Sequence, residues 1–89
     1  MSYCRFSDDS DVYVFGSGYA LECYVAGALV GDGDREKIYM VAMTDREPER
    51  KMWNHLVELR GKGLKIPQRA LDRLDAEARE RLQVFITKT

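Results

Sequence analysis

Apolar residues follow two periods along this chain, alternating through the first half and spaced helically through the second. Asp11 to Phe15 and Tyr19 to Ala26 alternate and are rich in Val, Tyr and other strand-favouring residues. Gly16-Ser17-Gly18 lies between them and accepts positive φ, so the pattern predicts a β-hairpin. On the second strand Tyr19, Leu21, Cys23 and Val25 fall on one face and Ala20, Glu22, Tyr24 and Ala26 on the other, the Leu/Cys/Val side being the expected core face. Gly27 to Val30 reads as an extension of that strand, and Gly31-Asp32-Gly33-Asp34 as the turn that ends it. Lys37 to Met43 follows as a third strand. Ile38, Met40 and Ala42 alternate there with Tyr39, Val41 and Met43, so both faces are apolar and cover on both sides is expected. Ser2 to Phe6 reads as a short edge strand.

From Thr44 the period changes. Thr44-Asp45-Arg46-Glu47 has capping-box spacing, and Pro48 suits a first helical turn, so a helix is expected to start near Asp45 to Pro48. Met52, Leu56 and Leu59 form its apolar stripe, widened by Trp53 and Val57, and Gly61 and Gly63 end it. Leu64-Lys65-Ile66 leads into Pro67 at the start of a second helix, along which Leu71, Leu74, Ala78 and Leu82 recur at helical spacing. For Leu82 to Thr87, β-branched and aromatic, a late strand and a fraying end stand as alternatives. The elements add up to an α+β fold, an antiparallel sheet of three or four strands with two C-terminal helices packed on one face.

With 89 residues the chain has room for a single domain, 1–89, and one core. A core that small is marginal, which favours a homodimer interface or a bound partner. There is no apolar run of about 18 residues and no basic-then-apolar leader, so no membrane association is expected and the cytoplasm is the expected compartment. Cys4 and Cys23 are too far apart for a CxxC pair and are expected as free, buried thiols. Charge is uneven along the chain: residues 1–34 hold one basic and six acidic residues, residues 35–89 thirteen basic and nine acidic. An acidic and a basic end are therefore expected unless folding mixes them.

The chemistry the residues offer is sparse. His55 is the one histidine, with no nucleophile or third group at local spacing, and reads as a surface or half-buried structural residue. Cys4, Cys23 and His55 lack the spacing of a zinc site, and Asp8, Asp9 and Asp11, or Asp32 and Asp34, lack the spacing of a calcium loop. Gly16-Ser17-Gly18 and Gly31-Asp32-Gly33 are too short in glycine, and lack the Lys-Ser/Thr, for a phosphate loop. No catalytic residue, metal or cofactor is expected, and the protein is not expected to be an enzyme. Arg60, Lys62, Lys65, Arg69 and Arg73 bracket a helix-turn-helix-like junction and are the candidate nucleic-acid contacts, set against a pI of about 5.8.

Met1-Ser-Tyr-Cys-Arg-Phe-Ser-Asp-Asp-Ser-Asp-Val-Tyr-Val-Phe15 resembles the opening of small proteins encoded mostly by bacteriophages and prophages, many of which begin Ser-Tyr-Cys-Arg-Phe or -Trp-Ser. Leu56 to Asp75 is similar to a helix, glycine turn, apolar-Pro, helix segment near the end of the same proteins. The resemblance implies a phage accessory protein and names no activity. With no catalytic constellation, protein binding is the leading expectation, to a host or phage protein, with inhibition of a host regulator or defence system as its concrete form. Tyr13 and Tyr24, opposite the core face, and the acidic turn Asp8, Asp9 and Asp11 are the expected contact residues. Trp53, beside the helical stripe, is expected to be buried. Nucleic-acid binding and a homo-oligomeric structural role are the alternatives.

Overall fold

Four strands lie side by side in chain order, each antiparallel to its neighbour: β1 (Ser2–Cys4), β2 (Val12–Gly16), β3 (Ala20–Val25) and β4 (Glu36–Ala42). Two helices follow, α1 (Pro48–Gly61) and α2 (Gln68–Thr87). The structure is a computed structural model that describes residues 1–25 and 36–87, without the side chains of 85–87. The strand extension read over Gly27 to Val30 and the turn at Gly31 to Asp34 lie outside the described residues. The α+β architecture is the expected one, with the sheet at its four-strand limit.

The β2–β3 hairpin forms where the glycines predict it. Gly18 takes φ +92°, and the Ser17 hydroxyl accepts the N–H groups of Tyr19 and Ala20 while the Ser17 N–H donates to Ala20 at 3.0 Å. Tyr19 belongs to this turn and is 87 % exposed, contrary to its expected place on the core face, because the strand begins one residue later. Leu21, Cys23 and Val25 are buried as expected, opposite Gly16, Val14 and Val12.

β4 corrects a larger expectation. It pairs with β3, and both helices lie on one side of the sheet, so among the described residues only one of its faces is covered. Val41 is buried, Tyr39 and Met43 pack partly against the core, and Met40 is 55 % exposed on the other side. Two apolar faces therefore did not mean two covers here. A bulge lies at this pairing: Cys23 faces Tyr39 and Tyr24 faces Lys37, which leaves Ile38 unopposed and exposed.

Pro48 is the first residue of α1, but the capping box does not form. Glu47 occupies the cap position with φ 50°, no side chain caps the helix, and the Asp45 carboxylate instead accepts the Arg46 N–H at 2.9 Å. The far end closes in a Schellman arrangement: Leu64 N–H donates to Leu59 O, Gly63 N–H donates to Arg60 O, and Gly63 takes φ +101°. The buried stripe of α1 is Glu49, Met52, Leu56 and Leu59; Val57 is exposed, and Trp53 is half-buried beneath the Arg50 guanidinium, 4.9 Å from its ring.

Pro67 precedes α2 rather than opening it, and Ile66 and Pro67 are buried beneath the junction. Ala70, Leu71 and Leu74 face α1 and the sheet, merging with Val12, Val14, Leu21 and Cys23 in one core, and Ala78 is buried one turn further along. Leu82 to Thr87 continues α2 as helix, so neither the late strand nor a frayed end is what forms.

Candidate functional site

Tyr13 is the centre of an aromatic strip on the sheet face turned away from the helices. Its register partner on β3 is Tyr24, because alternation sends both side chains opposite to Val12, Val14, Cys23 and Val25. Tyr13 makes ring contacts with Phe6, Phe15 and Tyr24, each at 6.1 Å between centroids, the two phenylalanines edge-on at 84°. Such edge-to-face pairs add roughly 0.5 to 1.5 kcal/mol beyond area burial, so the strip is a pre-ordered surface. Tyr13 also meets the Ser2 hydroxyl, which donates to its oxygen at 3.5 Å.

The strip ends in a polar clasp. Tyr24 donates to the Glu22 carboxylate at 2.7 Å, and Lys37 pairs with the same carboxylate at 3.0 Å while lying 6.0 Å from the Tyr24 ring. The Tyr24 hydrogen bond and the Lys37 contact hold the Glu22 carboxyl below its ordinary value. Met40, the register partner of Glu22, extends the apolar area beside the clasp. One face thus combines rigid rings, an exposed thioether and an oriented ion pair, the mixture that protein contacts use.

The acidic turn is placed elsewhere, exposed but held by specific contacts. Ser7 and Ser10 exchange backbone hydrogen bonds at 3.1 Å, and the Ser7 hydroxyl donates to Asp9 at 2.5 Å. Asp9 pairs with Arg69 at 2.5 Å, and the Arg69 and Ser7 contacts hold its carboxyl at about 2. Asp11 and Lys65 exchange two bonds: the Asp11 N–H donates to Lys65 O at 2.8 Å, and the Lys65 N–H donates to the Asp11 carboxylate at 2.7 Å. The Lys65 ammonium donates to Asp8 O at 2.8 Å. Tyr13 and Tyr24 are therefore brought together, while Asp8, Asp9 and Asp11 fasten the turn to the helix junction.

The same contacts occupy the basic junction. Besides Lys65 and Arg69, Arg60 donates to Ile66 O and to Gln68 at 3.0 Å, Lys62 lies 3.4 Å from Glu58, and Arg73 lies 3.4 Å from Glu77 and donates to Ser2 O at 3.2 Å. The acidic first third of the chain and its basic remainder meet here, so folding mixes the charges that the sequence separates.

Two buried polar groups escaped the sequence reading. Glu49 is 5 % exposed, and Arg81 reaches its carboxylate with two nitrogens at 2.6 and 2.8 Å. Burial pushes that carboxyl up, but Arg81 and a backbone N–H outweigh it and hold it below its ordinary value. Tyr3 is buried and donates to Glu77, with burial first and the Glu77 contact second in raising its phenol. The signal was available for Glu49, which stands three residues before Met52 on the buried stripe.

Cys4 and Cys23 are free and buried, as expected. Burial pushes the Cys23 thiol up to about 12 and raises Cys4 as well, which disfavours the reactive thiolate. His55 is half-buried and stacks on Tyr39 at 4.2 Å and 16°, and with Lys51, Asn54 and Glu58 the two line a shallow cavity of about 210 Å³. Its Nε2 is buried and has no hydrogen-bond partner among the described residues, and burial lowers its pKa, the Glu58 and Lys62 charges acting in opposite directions.

A base held neutral in the fold is protonated first in the unfolded chain. Stability should therefore be intact above about pH 6.5 and decline as pH falls through the lower folded value. His55→Phe keeps a ring on Tyr39 and removes the titration. Urea melts at about pH 7.5 and about pH 5.5 should show a smaller acid loss in His55→Phe than in the wild type. An equal loss in both proteins would place the titration elsewhere.

Among the described residues, no three His, Cys, Asp or Glu side chains converge to hold a metal ion. No described helix is long and apolar enough to cross a membrane. No family model, curated protein or solved structure matches the chain.

Proposed function

We propose that the chain is a non-enzymatic accessory protein of bacteriophage type that acts in the host cytoplasm by binding a host or phage protein through its aromatic sheet face. Inhibition of a host regulator or defence system is the concrete form of that activity. The observation that carries the reading is the strip centred on Tyr13, which Phe6 and Phe15 meet edge-on and Tyr24 meets at a tilt, beside the exposed Met40 and the Glu22–Lys37 clasp. Rings ordered before contact lose little freedom on binding, which is why aromatic residues dominate interface hot spots.

The test is affinity capture from host bacterial lysate with wild type and Tyr13→Ala in parallel, followed by titration of the retained protein. Tyr13→Ala should weaken binding by about 2 kcal/mol, roughly thirtyfold, with the fold checked by circular dichroism. Phe6→Ser and Met40→Ser, at exposed positions, should weaken it less. Equal retention of one partner by all four proteins would remove this face from the binding surface.

Nucleic-acid binding through Arg60, Lys62, Lys65, Arg69 and Arg73 is the second reading, favoured by their clustering at one junction. Each of the five already has a protein contact, so nucleic acid would have to compete for them. Salt-dependent retention on DNA or RNA, abolished by charge reversal at Lys62, Lys65 and Arg69, would put that reading first.

A further inference from the structure

One flank of α1 lies over the open edge of the sheet. The inner stripe of this helix faces the core, and on one side of it Arg50 and Arg60 reach α2 at Asp75 and Gln68. On the other side Lys51, Asn54, His55 and Glu58 recur at helical spacing, and with Tyr39 of β4 they line the shallow cavity of about 210 Å³. β4 is the last strand of the sheet, and among the described residues no strand pairs with its outer edge. It is also the longest strand, with seven residues against three in the opposite edge strand β1. Such an edge presents a row of backbone donors and acceptors that another strand can take up. Helix flank and strand edge therefore open on the same side of the molecule.

We propose that a second copy of the chain covers this side, the two β4 edges meeting antiparallel and the two α1 flanks lying side by side across one two-fold axis. A two-fold interface needs a surface that matches its own reverse. The flank does: set antiparallel, Lys51 stands opposite the partner copy's Glu58 and Asn54 opposite the partner copy's His55, each pair occurring twice. Lys51 already lies 2.9 Å from Asp45, and Glu58 3.4 Å from Lys62, all four side chains being solvent-accessible. The contact thus completes a run of alternating charge, from Asp45 and Lys51 to the partner copy's Glu58 and Lys62. The strand edge gives the same centre independently. His55 stacks on Tyr39 at 4.2 Å, which puts the middle of the flank over Tyr39. Antiparallel pairing about Tyr39 sets the exposed Ile38 beside the partner copy's exposed Met40 and puts no like charges opposite each other. Strands about 4.8 Å apart at the axis bring the helices seated above them to roughly the 8 to 10 Å at which helices pack. A strand from another protein would fill the edge without matching the flank. The helix flank lies on the opposite side of the sheet from the aromatic strip, and the two readings stand or fall separately.

Sedimentation velocity on the full chain, over a concentration series up to about 100 µM, tests the proposal. Wild type should move from one-chain to two-chain mass as concentration rises. Lys51→Glu and Glu58→Lys, both outside the core, should keep the fold by circular dichroism and each raise the dimer dissociation constant at least about tenfold, since each sets like charges opposite at two places. Mixed in equal amounts, the two variants bring opposite charges together at both places. The mixture should therefore form a two-chain species at concentrations where neither variant does alone. One-chain mass of the wild type at every concentration, which would leave the edge to a strand from another protein, would overturn the assignment. So would a dimer equally tight in both single variants, or a mixture that associates no more tightly than its components.

Discussion

Leu74→Ala is expected to lower the unfolding free energy by about 3 kcal/mol, through lost apolar transfer and the cavity left behind. Leu74 is fully buried in the one cluster that joins both helices to the sheet, so no neighbouring element is free to collapse into the gap. For 89 residues the whole stability is roughly 4 to 13 kcal/mol, so one side chain carries a large part of it. The midpoint of thermal unfolding should fall by roughly 12 to 24 °C. Leu82→Ala, on the same helix stripe but exposed, is the internal control and should move the midpoint of dilute protein little. A cost below about 1 kcal/mol at Leu74 would mean that the helices close over the gap.

Arg81→Met is the second large effect, and its pH dependence separates it from a packing defect. The substitution leaves the Glu49 carboxylate buried with its two-nitrogen partner gone. Breaking a fully buried pair costs about 3 to 5 kcal/mol; Arg81 is about half exposed, so roughly 2 kcal/mol is expected at neutral pH. In the wild type Glu49 lies below its ordinary value of 4.5, so it contributes stability above that pH and loses it as pH falls through the lower folded value. In Arg81→Met only the backbone N–H is left to oppose burial, the larger of the two, so the carboxyl rises and the penalty is full at neutral pH and shrinks as the group takes a proton. Urea melts across this range should show the gap between the proteins narrowing on acidification. Adding Glu49→Gln should recover much of the neutral-pH loss, and a gap that stays constant with pH would assign the effect to lost packing.

The elements were legible in the sequence because each rests on local rules. The glycines around Ser17 force a turn, alternation sorts Leu21 and Cys23 from Glu22 and Tyr24, and Gly63 closes α1. Local rules failed where the answer depends on what lies across the fold. Ile38 and Met40 look like core residues until the helices are seen to cover a single side of the sheet. Thr44 and Glu47 have capping-box spacing, but a left-handed backbone at Glu47 replaces the cap. Strand propensity in Leu82 to Thr87 gave way to propagation of a helix already nucleated, since adding a turn costs far less than starting one.

Of the candidate site, the pairing of Tyr13 with Tyr24 followed from strand register, whereas Phe6 could not be placed beside them by alternation, lying outside any strand. The acidic turn was read correctly as a turn, but its fastening to the helix junction was not legible, because Lys65 and Arg69, its partners, lie more than 50 residues further along the chain. Opposite charges that far apart in sequence do not announce their pairing.

That long reach has a consequence for how the protein comes into being. Ser2, Tyr3, Asp8, Asp9 and Asp11 are held by Lys65, Arg69, Arg73 and Glu77 at separations of 54 to 74 residues. Synthesis runs at about 5 to 20 residues per second, so the opening strand spends seconds outside the ribosome before its anchors exist. The β2–β3 hairpin can form in that interval, since its partners lie within a few residues of the turn. A segment that emerges well before its anchors is thus among the last to be secured, and the interval before α2 is complete is when the nascent chain is most open to proteolysis and to wrong pairing.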